Sequence, residues 1–161
     1  MKQLRTFWVS LVLLFSVDAS AISIDLIPNH TNIAVGDQLA LQVKISNLSD
    51  SNAPSLGVYD LDLNFNNNLF SFSHLIWGDN VIGNQLDLSG SGSAQTSTVN
   101  SGIINLFELS FDDIDSLNNL QAGEFTLFTL LFDAIAIGSG NFSIGNNIFG
   151  DAVGDLLTID R

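Results

Sequence analysis

Sixteen residues, Gly57 to Phe72, constrain this chain more than any other stretch; they read Gly-Val-Tyr-Asp-Leu-Asp-Leu-Asn-Phe-Asn-Asn-Asn-Leu-Phe-Ser-Phe. Tyr59, Leu61, Leu63 and Phe65 alternate with Asp60, Asp62 and Asn64. Successive side chains of an extended chain point to opposite faces, so period two marks a strand with one buried face and one wet face. Asn66-Asn67-Asn68 then turns the chain into a second apolar segment, Leu69 to Trp77.

The same pattern recurs along the sequence. Ile22 to Ile27 reads as a first strand, stopped by Pro28. Ala34-Val35-Gly36-Asp37 leads into the most regular strand, with Leu39, Leu41, Val43 and Ile45 facing inward. Val81 to Leu88 is a candidate short strand, and Ser89 to Asn100 a Ser/Gly/Thr-rich loop with room for an edge strand. Ile103 to Phe111 returns to period two. Ile103, Phe107, Leu109 and Phe111 lie on one side, and Ile104, Leu106, Glu108 and Ser110 on the other. Asp112 to Asn119 is an acidic excursion with space for one helical turn. Phe125 to Ile137 is apolar on both sides, as a central strand is. Phe142 to Ile144 and Leu156 to Ile159 are short late strands around the loop Gly150 to Asp155. About nine strands with turn signals every 8–12 residues predict one all-β sandwich domain.

Lys2 and Arg5, the apolar run Phe7 to Val17 and Ala19-Ser20-Ala21 form the three parts of a secretory signal peptide, residues 1–21. The apolar run is shorter than the roughly 20 residues a membrane span needs. The expected location is therefore secreted, extracellular or at the cell surface, with no membrane span in the mature chain. The mature domain, residues 22–161, keeps Lys44 and Arg161 against sixteen acids, a formal charge of −14. That charge repels phosphate backbones and argues against nucleic acid as a partner. There is no Cys, so disulfides and thiolate chemistry are excluded.

Asp60, Asp62 and Asn64 lie about 6–7 Å apart on one strand face. They suit hydrogen bonding to a basic protein partner or to sugar hydroxyls, and Glu108 is a weaker member of this class. Such a face is also what any solvated sheet presents. Asp112, Asp113 and Asp115 could together supply oxygen ligands to calcium, the one cofactor this sequence suits, with Asp151 and Asp155 a second candidate pair. Neither set has EF-hand spacing. No nucleophile elbow, zinc-protease motif or phosphate loop is present, and His30 and His74 read as boundary residues, so no enzyme is expected. Trp77 and Tyr59 read as core rather than as sugar-stacking platforms.

Val-Gly-Asp before a long alternating strand, then Gly-Val-Tyr-Asp-Leu-Asp-Leu-Asn-Phe-Asn-Asn-Asn-Leu, then Thr-Leu-Phe-Thr-Leu-Leu-Phe-Asp-Ala closed by Gly, resembles the cohesin family. The order is especially similar to cohesin-like secreted proteins of the PEP-CTERM kind. That resemblance implies a nine-stranded jelly-roll sandwich, related to certain cellulose-binding modules, with one sheet face that docks a dockerin. It places Phe65 to Leu69 at the turn that closes the third strand and Asp60 at an outward docking position; Val58 stands where a polar residue is usual. The sorting tail of the PEP-CTERM kind is expected to be missing, since the sequence stops at Arg161 without Pro-Glu-Pro, an apolar helix or a basic end. The expected function is a non-catalytic exported binding or scaffold module for a protein, dockerin-like, or for a polysaccharide. The alternative is a structural extracellular-matrix component with no specific ligand.

Overall fold

The computed structural model describes residues 21–51 and 53–160. The signal-peptide reading therefore lies outside the described residues, apart from Ala21. Eight strands and one short helix follow in order: β1 Ser23–Pro28, β2 Gln38–Ser46, β3 Leu56–Asn64, β4 Phe70–Trp77, β5 Ser93–Asn100, β6 Ile103–Ser110, α1 Ile114–Leu120, β7 Phe125–Ala134 and β8 Ser143–Asp151. They form two antiparallel sheets, β1-β2-β7-β4 and β5-β6-β3-β8. The sheets stack through their apolar faces as a sandwich.

Alternation builds the core. Leu39, Leu41, Val43 and Ile45 of β2 and Phe128, Leu130 and Phe132 of β7 meet Tyr59, Leu61 and Leu63 of β3 and Ile104 and Leu106 of β6, all buried. Phe132 is the aromatic hub, with Phe65, Phe70, Phe72 and Phe142 rings at centroid distances of 5.0–6.2 Å. Trp77 packs edge-on against Phe128 at 6.2 Å, and Tyr59 lies between Phe128 and Phe149, so both belong to the core as expected.

Three expectations are corrected. The Val81 to Leu88 segment forms no strand; its folding is local, organised around Asp79 and Asn84, with one isolated bridge between Asp79 and Gly83. The late segment Leu156 to Ile159 is reduced to two isolated bridges, antiparallel between Gly150 and Leu156 and parallel between Ile22 and Ile159. The strand expected at Phe142 to Ile144 instead spans Ser143–Asp151, through Gly145-Asn146-Asn147 and into the loop expected from Gly150. A bulge between Leu61 and Leu63 of the β3–β8 register absorbs those residues. Gly57 shows why β8 can lie so close to β3: a Cβ there would sit 2.6 Å from the Asp151 carbonyl oxygen. No helix among the described residues is long and apolar enough to cross a membrane.

Candidate functional site

Register decides what the outer face of the β5-β6-β3-β8 sheet carries. Inward Tyr59, Leu61 and Leu63 leave Val58, Asp60, Asp62 and Asn64 pointing out. Reading across the strands from there gives rows of neighbours. Ala94, Leu109, Val58, Gly150 and Leu156 make the first row. Thr96, Phe107, Asp60 and Ile148 make the second. Thr98, Asn105 and Asp62 make the third, and Asn100, Ile103, Asn64 and Ser143 the fourth. One end of the face is thus apolar and its middle acidic. Leu109, Ile148 and Leu156 are 39%, 60% and 76% exposed, well beyond what a packed side chain shows.

The two aspartates are held by amides. Asn105 Nδ2 donates to Asp60 Oδ1 at 2.8 Å and to Asp62 Oδ1 at 3.0 Å, and Asn146 Nδ2 donates to Asp62 Oδ2 at 3.2 Å. Lys44 is the only lysine or arginine among the described residues, and it pairs with Glu124 at 3.0 Å in the other sheet. Asp60 and Asp62 therefore have no cationic partner there. The structure brings Asp60, Asp62 and Asn64 together as the alternation predicts. It adds Phe107, Leu109, Ile148, Asn105 and Asn146, which the sequence reading did not select. Fixing the phase of β6 would have found Phe107 and Leu109, because both fall on the side opposite Ile104 and Leu106.

Glu108 is not part of this face. It is fully buried, on the same inward side as Ile104 and Leu106. Its carboxylate accepts hydrogen bonds from Tyr59 Oη at 3.0 Å, Asn84 Nδ2 at 2.6 Å, Ser93 Oγ at 2.7 Å and Gln95 Nε2 at 2.8 Å. Four donors replace the water that burial removes. Burial pushes the Tyr59 phenol well above its ordinary value, and the charge and hydrogen bond of Glu108 push it further. The cluster ties β3, β5, β6 and the 78–88 segment together beneath the outer face.

The structure does not bring the expected calcium ligands Asp112, Asp113 and Asp115 together. Asp112 turns back to the 88–89 segment, accepting from Leu88 N at 2.6 Å and from the Ser89 amide and hydroxyl. Asp113 caps α1, accepting from Ser116 N at 2.7 Å and Ser116 Oγ at 3.0 Å, and these bonds hold its pKa below the usual value. Asp115 lies in the first turn of α1. The carboxylates of Asp112 and Asp113 thus point to separate partners, Asp112 to the 88–89 segment and Asp113 to Ser116. Asp151 is likewise spent on a turn, accepting from Val153 N and Asp155 N. Among the described residues no three His, Asp or Glu side chains are grouped as a metal would need. His30 and His74 are exposed, His30 at the rim of a cavity of about 430 Å³ at one end of the sandwich, and neither adjoins the aspartates.

No protein-family model and no curated protein matches the chain. Solved structures do. A type II cohesin domain from the cellulosome of Acetivibrio cellulolyticus superposes with a TM-score of 0.66 at 12% identity, covering 88% of this chain and 92% of that one. The cohesin in a type I cohesin–dockerin complex from Clostridium thermocellum gives 0.65 at 15% identity, over 86% and 92%. A non-cellulosomal cohesin from the archaeon Archaeoglobus fulgidus gives 0.60 at 19% identity, over 86% and 84%. In fold the chain is a cohesin-like β-sandwich, as its residues led one to expect.

Proposed function

We propose that this chain is an exported, non-catalytic docking module that binds a protein partner through the outer face of the β5-β6-β3-β8 sheet. The observation that carries the reading is Asp60 with Asp62, uncompensated by any described cation, in the middle of a face whose Phe107, Leu109, Ile148 and Leu156 are apolar. Apolar side chains supply area for association, and the acidic pair supplies orientation and steering toward a basic patch. The partner class is a dockerin-like module, since the fold neighbours include a cohesin in complex with a dockerin. Export rests on the three-part leader of residues 1–21.

A protein is favoured over a polysaccharide because Tyr59 and Trp77 are packed against Phe128, leaving this face, among the described residues, without an indole or phenol to stack on a sugar ring. A non-catalytic role is favoured because Asp60 and Asp62 stand side by side on one strand, not opposed across a cleft as paired catalytic carboxylates are.

The test compares three immobilised baits against extracellular proteins of the source organism: the unaltered chain, Asp60→Lys with Leu109→Asp, and Gln42→Lys with Ser73→Lys on the opposite sheet. A protein retained by the first and third baits but lost from the second supports the reading. Equal retention by all three moves the site elsewhere. Binding only on a glycan array makes the ligand a polysaccharide, and binding to nothing leaves the structural-matrix role.

A further inference from the structure

A sandwich of two open sheets has four edge strands, and here they are β1, β4, β5 and β8. Exposed edges carry unpaired N–H and C=O groups that template pairing with another chain, so proteins blunt them with charge, proline, bulges or cover. Three of the four are blunted. β1 holds Asp25, ends in Pro28 and is closed at its start, where Ile22 N donates to Thr158 O and Asp160 N donates to Ile22 O. β8 is covered by the returning chain, with Leu157 N donating to Phe149 O and Asp151 N to Asp155 O, both at 2.9 Å. β4 carries a register shift between Phe72 and His74.

β5 has none of these devices. Ser93–Asn100 pairs with β6 through eight consecutive residues without a shift and contains no proline and no charge. The six residues from Gln95 to Asn100 are exposed, whichever face they point to, so no neighbouring element among the described residues overhangs the edge. The Gly92 carbonyl accepts from Phe111 N, which directs even-numbered main-chain groups toward β6. Alternation then directs the N–H and C=O of Ser93, Gln95, Ser97 and Val99 outward, a free pair about every 7 Å.

We propose that β5 pairs antiparallel with β5 of a second copy, joining two sandwiches through one continuous sheet. A twofold axis at Ser97 sets Gln95 opposite Val99 and Thr96 opposite Thr98, so the strand is complementary to itself. No like charges meet across the axis, and threonine pairs are favourable cross-strand neighbours. Thr96, Thr98 and Val99 suit an extended backbone. Each mature domain carries a formal charge of −14, which opposes approach. Salt screens that repulsion without touching the backbone hydrogen bonds, so pairing strengthens as ionic strength rises. Two docking faces would then lie side by side, which favours a partner bearing two modules.

The test is sedimentation equilibrium of the chain at about 0.05 M and 0.5 M NaCl, with two variants. The expected result is a monomer–dimer equilibrium whose dimer fraction rises several-fold with salt. Ser97→Pro removes an outward N–H, is tolerated on an edge, and should leave a monomer of unchanged melting temperature. Because the native chain has no Cys, Ser97→Cys should oxidise to a covalent dimer about tenfold faster than an exposed control, Ser73→Cys on β4. A monomer at both salt concentrations, or equal oxidation of the two cysteine variants, overturns the proposal. Pairing of β5 with a foreign peptide strand would give that same negative pattern.

Discussion

The Tyr59 hydroxyl donates to Glu108 Oε2 at 3.0 Å, and both side chains are fully buried. This one bond links the inner face of β3 to the inner face of β6, directly behind the strands that display Asp60 and Phe107. The proposed docking face is therefore backed by a buried polar clamp, which gives it a titratable weak point.

Tyr59 is the only tyrosine, so its ionisation can be watched by itself. Burial first, then the Glu108 charge and hydrogen bond, favour the neutral phenol in the folded chain. The unfolded chain begins to shed this proton near pH 10. Stability from Tyr59 is thus complete below about pH 10 and drains away as pH climbs toward the raised folded value. Phenolate absorbance should appear together with loss of the β-sheet signal in circular dichroism, not before it. Tyr59→Phe should remove that alkaline dependence.

Glu108→Ala leaves the Tyr59, Asn84, Ser93 and Gln95 donors without their acceptor. Unsatisfied buried groups and the new cavity should cost about 2–4 kcal/mol in urea unfolding. Asp60→Ala, exposed on the other face of β3, should change stability by less than about 0.5 kcal/mol. A reversed order would mean that Glu108 faces solvent.

Asp79 holds the 78–88 segment against β7. Its Oδ1 accepts from Val81 N at 2.8 Å and Ile82 N at 3.2 Å, and its Oδ2 from Thr126 N at 3.0 Å. Burial raises its pKa, but the backbone N–H groups of Val81, Thr126 and Ile82 and the Thr126 hydroxyl outweigh that and hold it below the usual carboxylate value. A depressed folded value adds stability above the unfolded pKa and loses it as pH falls through the folded one. Asp79→Asn should therefore be less stable than the native chain by about 1–2 kcal/mol at pH 7. The gap in urea midpoints should narrow as pH falls through the lowered folded value.

The strands most visible in the sequence are those with one uniformly apolar side. β2 and β3 could be phased correctly because Leu39, Leu41, Val43, Ile45 and Tyr59, Leu61, Leu63 leave no choice of inner face. β6 offers apolar residues on both sides, so a lone glutamate tips the reading outward. The donors that let Glu108 go inside come from Tyr59, Asn84, Ser93 and Gln95, brought together only by folding. Gly145-Asn146-Asn147 hides the middle of β8 because turn residues also serve a bulge. The acidic run Asp112 to Asp115 reads as one cluster in the sequence, but folding sends Asp112 across to Leu88 and Asp113 to the head of α1.

The central claim, that one sheet face is the recognition surface, is tested most directly by amide chemical-shift mapping of the labelled chain with the partner retained by the unaltered bait. The account predicts that perturbations concentrate at Val58, Asp60, Asp62, Phe107, Leu109 and Ile148. Perturbations confined to the opposite sheet, around Gln42, His74 and Leu131, would contradict it.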